Sequence, residues 1–114
     1  MSESDLYPLA MLIATEQGDR LFRNNVGGFR TLDGRFIRTG LCVGSSDLIG
    51  WRSVTITPEM VGTKIAQFVG MEAKAGRKNQ TKEQKAFADT LTLAGGLACV
   101  VRTVEDVRRA LKDV

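Results

Sequence analysis

The stretch from Lys64 to Arg102 constrains the fold more than any other part of the chain. Strict alternation sets Ile65, Gln67, Val69, Met71 and Ala73 on one face and Ala66, Phe68, Gly70, Glu72 and Lys74 on the other. Both faces are largely apolar until the end, as in a central strand. Thr81 with Gln84 three residues on forms a capping box, and Phe87, Ala88, Leu91 and Ala94 carry a helix to Gly95-Gly96. Ala98 to Arg102 then reads as a buried strand. Strand, helix, strand makes a βαβ unit, with the strands of Glu72 and Val100 as parallel neighbours joined by a right-handed crossover. Ligands in such sheets gather where central strands end, which is where Glu72 and Lys74 stand.

The flanking segments complete the pattern. Leu6, Leu9, Ala10 and Ile13 fall at i, i+3, i+4 and i+7, the stripe of an amphipathic helix that Gly18 would stop. Pro8 is cheap only in a first turn, so Ser4 is the expected N-cap. Arg20 to Asn25 and Arg35 to Thr39 are extended segments, separated by the turn signals Val26-Gly27-Gly28 and Asp33-Gly34, and predict a hairpin. Asp47 to Thr57 predicts a third strand, bent at Gly50, with Trp51 as a core anchor. Thr103 with Asp106 caps a last helix whose Val104, Val107 and Leu111 face inward. The order α-β-β-β-β-α-β-α predicts an α/β fold, a mixed central sheet flanked by helices. At 114 residues it is one domain over 1–114.

Composition narrows the chemistry. The chain has no histidine, which removes imidazole bases, imidazole nucleophiles and histidine-bearing metal sites. Its two cysteines, Cys42 and Cys99, stand far apart in apolar settings, which suits buried free thiols in a reducing compartment. The apolar run Leu9 to Ala14 follows the acidic Glu3 and Asp5 and is too short for a signal peptide or a membrane span, so the expected location is the cytosol. A net charge of +3 leans mildly toward polyanionic partners. Basic residues gather in two patches: Arg20, Arg23, Arg30, Arg35 and Arg38, then Lys74, Arg77, Lys78, Lys82 and Lys85.

Glu72-Ala73-Lys74 places a carboxylate and an ammonium on one face of a strand. A hard divalent cation takes oxygen ligands, and two carboxylates plus a strand carbonyl, that of Ala73, would hold Mg²⁺ or Mn²⁺ with waters left in its shell. Lys74 could then position or deprotonate one of those waters for attack on a phosphate. The second carboxylate is Asp47, aimed by the turn Gly44-Ser45-Ser46 and held by the strand it starts. Each feature also has a plainer reading: an aspartate after Gly-Ser-Ser is commonly a turn residue, and Glu-x-Lys is commonly a cross-strand ion pair.

Taken together, these segments resemble the VRR-NUC family, the virus-type replication-repair nuclease domain of the PD-(D/E)XK superfamily. The resemblance runs through Leu21-Phe22-Arg23-Asn24-Asn25-Val26-Gly27, Gly44-Ser45-Ser46-Asp47-Leu48-Ile49-Gly50, Glu72-Ala73-Lys74, and Glu83-Gln84 with Phe87. It ends with Gly95-Gly96 and the passage Val100 to Val107. It implies a restriction-endonuclease-like core and metal-dependent hydrolysis of DNA phosphodiesters, with Asp47 and Glu72 on Mg²⁺ or Mn²⁺ and Lys74 serving the nucleophilic water. Gln84 matches the family's glutamine that looks onto the active site, while also fitting the capping box. The family's helix-one glutamate matches Glu3, with Glu16 as the fallback; Tyr7 stands where the family often has glutamine.

Arg23, Asn24 and Asn25 stand where they could touch a phosphate backbone or brace the metal site, and Arg77, Lys78 and Lys82 look like sequence-independent backbone contacts. Stand-alone members resemble Holliday junction resolvases, which implies a homodimer of viral or mobile-element type, acting on branched DNA such as a four-way junction. The alternative is a non-catalytic nucleic-acid-binding module that keeps the fold and its basic face.

Overall fold

The computed structural model describes residues 2–112. Among the described residues three α-helices and six short strands follow in the order α1 (Glu3–Glu16), β1 (Arg20–Arg23), β2 (Gly27–Arg30), β3 (Phe36–Thr39), β4 (Leu48–Trp51), β5 (Val69–Ala73), α2 (Lys82–Leu93), β6 (Leu97–Val101) and α3 (Val104–Ala110). A 3-10 turn over Pro58–Met60 lies between β4 and β5. The strands pair in twos rather than in one continuous sheet. β1 lies antiparallel to β4, β2 antiparallel to β3, and β5 parallel to β6. The chain divides into two compact units, residues 1–52 and 53–114.

In the first unit, α1 begins earlier than Pro8 suggests. Ser2 is the N-cap, and a capping box with Asp5 satisfies the first-turn amides, so the helix opens at Glu3 and carries Pro8 inside it. The amide that proline lacks would have bonded the carbonyl of Ser4, an exposed residue that water reaches. The packed stripe is also turned by one residue from the expected one. Tyr7, Ala10, Met11 and Ala14 are the covered positions, with Ala14 buried, whereas Leu6, Leu9 and Ile13 are exposed.

The hairpin forms between β2 and β3 around Asp33-Gly34, while β1 pairs with β4 instead. Gly27-Gly28, expected as a turn, runs as strand because Thr39 and Arg38 pair opposite it. β4 ends at Trp51, well short of Thr57, because its partner β1 begins at Arg20 and supplies no further rungs. Gly50 does not bend the strand: it sits opposite Leu21, and a Cβ there would run into the Arg20 carbonyl. Trp51 packs tilted against Phe22 with ring centroids 5.6 Å apart.

The second unit holds the βαβ arrangement. β5 and β6 are parallel, with Glu72 opposite Val100 and Ala73 opposite Val101. β5 is limited to Val69–Ala73 because β6 offers only five residues to pair with. Leu91 on α2 is fully buried, and the glycines Gly70 and Gly96 leave room for its two methyl groups. Thr81 and Thr103 cap α2 and α3 as their spacing predicts. On α3, Val107 is half-buried but Val104 and Leu111 are exposed. The cysteines are free; Cys42 is exposed rather than buried, because it lies in the loop before β4, and Cys99 on β6 is half-buried. No helix among the described residues is long and apolar enough to cross a membrane.

Candidate functional site

Asp47 is the last residue before β4, and three groups hold it there. Its carbonyl accepts hydrogen bonds from the Asn24 main-chain amide at 2.8 Å and from Arg23 Nη1 at 2.8 Å. Its side-chain Oδ2 accepts a hydrogen bond from the Tyr7 hydroxyl at 3.1 Å. The Arg23 guanidinium lies 4.1 Å from the centroid of the Tyr7 ring, a cation–π contact that steadies the ring. The hydrogen bond to Asp47, then burial and the Asp47 charge, raise the Tyr7 phenol above its ordinary value, against a smaller opposite pull from Arg23. Tyr7 therefore keeps its proton at neutral pH and serves as a donor.

Tyr7 is the site residue that sequence reasoning missed. Its partner lies forty residues away in sequence, and the residue falls outside the expected apolar stripe. The available signal was its place one turn after Glu3. Glu3 stands in the first turn of α1, toward the Asp47 end, whereas Glu16 lies about 13 Å farther along the axis than Tyr7 at 1.5 Å per residue.

Asn24 works as a clamp on the loop that delivers Asp47. Its Nδ2 donates to Ser45 Oγ and to the Ser46 carbonyl, both at 2.8 Å, and its Oδ1 accepts from the Leu41 amide at 2.8 Å. Of the two roles open to Arg23 and Asn24, these bonds match bracing: the Asn24 amide hydrogens are both used within the loop. Asn25 is exposed at the same bend.

In the second unit, Glu72 and Lys74 lie at the C-terminal end of β5, both half-buried. Lys74 continues the parallel ladder by donating its main-chain amide to the Val101 carbonyl at 3.0 Å. Gln84 serves two partners with one amide. Its Oε1 accepts from the Thr81 main-chain N–H at 3.0 Å, completing the capping box, and its Nε2 donates to Glu72 Oε2 at 3.0 Å. The cap and the bond to Glu72 coexist because the N3 position of α2 faces the end of β5. Arg77 and Lys78 are exposed in the connection from β5 to α2, Lys82 is exposed as the first residue of α2, and Arg102 Nη1 ties the connection down by donating to the Gly76 carbonyl at 2.8 Å.

Each carboxylate thus has one oxygen held by a neutral donor. Asp47 Oδ1 and Glu72 Oε1 carry no hydrogen bond among the described residues. Carboxylate oxygens and a main-chain carbonyl are the donors that Mg²⁺ and Mn²⁺ prefer, and the chain has no histidine to compete for softer ions. Among the described residues no three carboxylate or thiol side chains gather in one group, so any hard cation here would rely on water for the rest of its shell. No family model matches the chain, and neither a curated protein nor a solved structure is similar to it.

Proposed function

We propose that the chain is a metal-dependent DNA endonuclease with a restriction-endonuclease-like core, acting on branched DNA as a homodimer. Asp47, Glu72 and the Ala73 carbonyl are the proposed ligands of Mg²⁺ or Mn²⁺, and Lys74 positions the attacking water. The observation that carries the reading is the Gln84–Glu72 hydrogen bond at 3.0 Å beside Lys74 on the same strand end. A glutamate in a plain cross-strand ion pair would bond the lysine; here it is oriented by a neutral amide instead, and among the described residues Lys74 enters no ion pair.

When bound, the metal would polarise the phosphoryl oxygen and lower the pKa of a coordinated water. The remaining work falls to side chains. Gln84 and Tyr7 each hold one oxygen of a carboxylate, so the other oxygen is presented without a search through rotamers. Lys74 brings a cation to the place where charge builds up on the phosphate. Arg77, Lys78 and Lys82 would follow the phosphate backbone near the β5 end; in the first unit, Asn25 is a proposed backbone contact and Glu3 a proposed catalytic carboxylate.

The test is cleavage of a labelled four-way junction beside a matching linear duplex, with Mg²⁺, Mn²⁺ or EDTA, for wild type and Lys74→Ala. Metal-dependent cutting of the junction, lost in the variant, is expected. Binding without cutting, unchanged by the substitution, would move the function to a non-catalytic nucleic-acid-binding module.

A further inference from the structure

The β2–β3 hairpin has two unlike faces. All eight strand residues are exposed. Pairing sets Gly28 opposite Arg38 and Arg30 opposite Phe36, so alternation gathers Gly28, Arg30, Phe36 and Arg38 on one face. On that face two guanidiniums lie near the Phe36 ring, Arg30 at 5.9 Å and Arg38 at 5.7 Å from its centroid. The ring edge reaches over Gly28, where a Cβ would sit 2.5 Å from Phe36 Cζ, so only glycine permits this packing.

The charges are not balanced locally. Asp33 at the hairpin tip is paired with Arg35 at 3.0 Å, while among the described residues Arg30 and Arg38 enter no ion pair. Arg30 Nη1 donates to the Gly34 carbonyl at 3.2 Å, which fixes the side chain beside the ring without neutralising it. Phe36 remains 54% exposed. A bare two-stranded ribbon is marginal in water, and a half-open aromatic surface beside two cations without ion-pair partners suits an anionic, flat-ringed partner.

We propose that the Arg30–Phe36–Arg38 face binds unpaired nucleotides, with a base stacked at Phe36 and the guanidiniums on the flanking phosphates. In an intact duplex the base faces are already stacked, so an aromatic of this kind selects single-stranded or splayed segments. The choice of DNA as probe rests on the nuclease reading; the site itself uses none of the residues assigned to cleavage.

The experiment is fluorescence anisotropy of a fluorescein-labelled single strand and a blunt duplex of the same length, in EDTA, with the full chain. Phe36→Leu is expected to weaken single-strand binding about 5- to 150-fold, the range for losing one stacked base, with duplex binding little changed. Phe36→Tyr, which keeps a ring, is expected to restore it. Arg30→Gln with Arg38→Gln is expected to lower the salt slope for the single strand by about 1.4, from two phosphate contacts at about 0.7 each. Wild-type binding by well-folded Phe36→Leu, or an unchanged salt slope in the double variant, would overturn the proposal. So would a fall in molecular mass by light scattering that accounts for the loss of binding, since the ribbon would then seat a second copy. Single-strand binding that depends on Phe36 in a protein that cuts nothing would retire the nuclease reading and leave this site standing.

Discussion

Replacing Gln84 by leucine removes two hydrogen bonds made by one amide while keeping most of the side chain's volume. The bond to the Thr81 N–H is neutral and exposed, and such bonds contribute about 0.5–1.5 kcal/mol net. The bond to Glu72 is charge-assisted and half-buried, so its usual 1.5–3 kcal/mol is discounted for solvent to about 1 kcal/mol. The sum is about 2 kcal/mol, or about 8 °C in melting temperature for a chain of this length. Thr81→Ala is the control. It removes the cap from the other side, costing about 1 kcal/mol, and leaves the Gln84–Glu72 bond in place. The two variants separate in Mn²⁺ affinity, measured by isothermal titration without DNA. Loss of a group that orients a metal ligand costs about 10- to 100-fold, so Gln84→Leu is expected to fall by that factor and Thr81→Ala to stay near wild type. Equal Mn²⁺ affinity in Gln84→Leu and Thr81→Ala would refute the reasoning, because the Gln84 amide would then be a helix cap and nothing more.

Other outcomes follow from the same geometry. Tyr7→Phe deletes the hydroxyl on Asp47 Oδ2 and is expected to weaken Mn²⁺ binding about tenfold with the melting temperature nearly kept; undiminished affinity would remove Tyr7 from the site. Leu91→Ala empties the one fully buried side-chain position among the described residues and is expected to destabilise by about 2–5 kcal/mol in urea denaturation, a loss under about 1 kcal/mol being the contrary result. Hydrogen bonds from the Arg102 and Thr103 amides, with the Arg109 charge, lower the Asp106 carboxyl below its ordinary value. Its contribution is therefore complete above about pH 4 and is lost as pH falls through the lower folded value, so Asp106→Asn is expected to flatten the acid limb of a stability–pH profile. An acid limb as steep as that of wild type would count against it.

Local signals were legible in the sequence and long-range ones were not. The Thr81/Gln84 and Thr103/Asp106 boxes announce their helices because a cap is a contact between residues three apart. The parallel β5–β6 pair is legible because a strand, helix and strand of these lengths have few other ways to close. The extents of β4 and β5 were overread, since a strand ends where its partner runs out, which no property of Arg52 or Lys64 reveals. The partner of β1 was misread for a related reason: Gly27-Gly28 carries a turn signature, yet the ladder to Arg38 and Thr39 overrides it. Among the candidate residues, Asp47, Glu72, Lys74 and Gln84 stand out by motif. The use of Tyr7, and the commitment of Asn24 to the loop at Leu41–Ser46, depend on which residues the fold brings beside β4.

Asp47 and Glu72 are both proposed above as ligands of the same Mg²⁺ or Mn²⁺ ion. The most direct measurement is the stoichiometry and affinity of Mn²⁺ binding to wild type, Asp47→Asn, Glu72→Gln and the double variant, in the absence of DNA. One strong site in the wild type, lost about equally in either single variant and no further in the double, is the expected result. Two sites that vanish separately, or no Mn²⁺ binding that depends on either carboxylate, would contradict it.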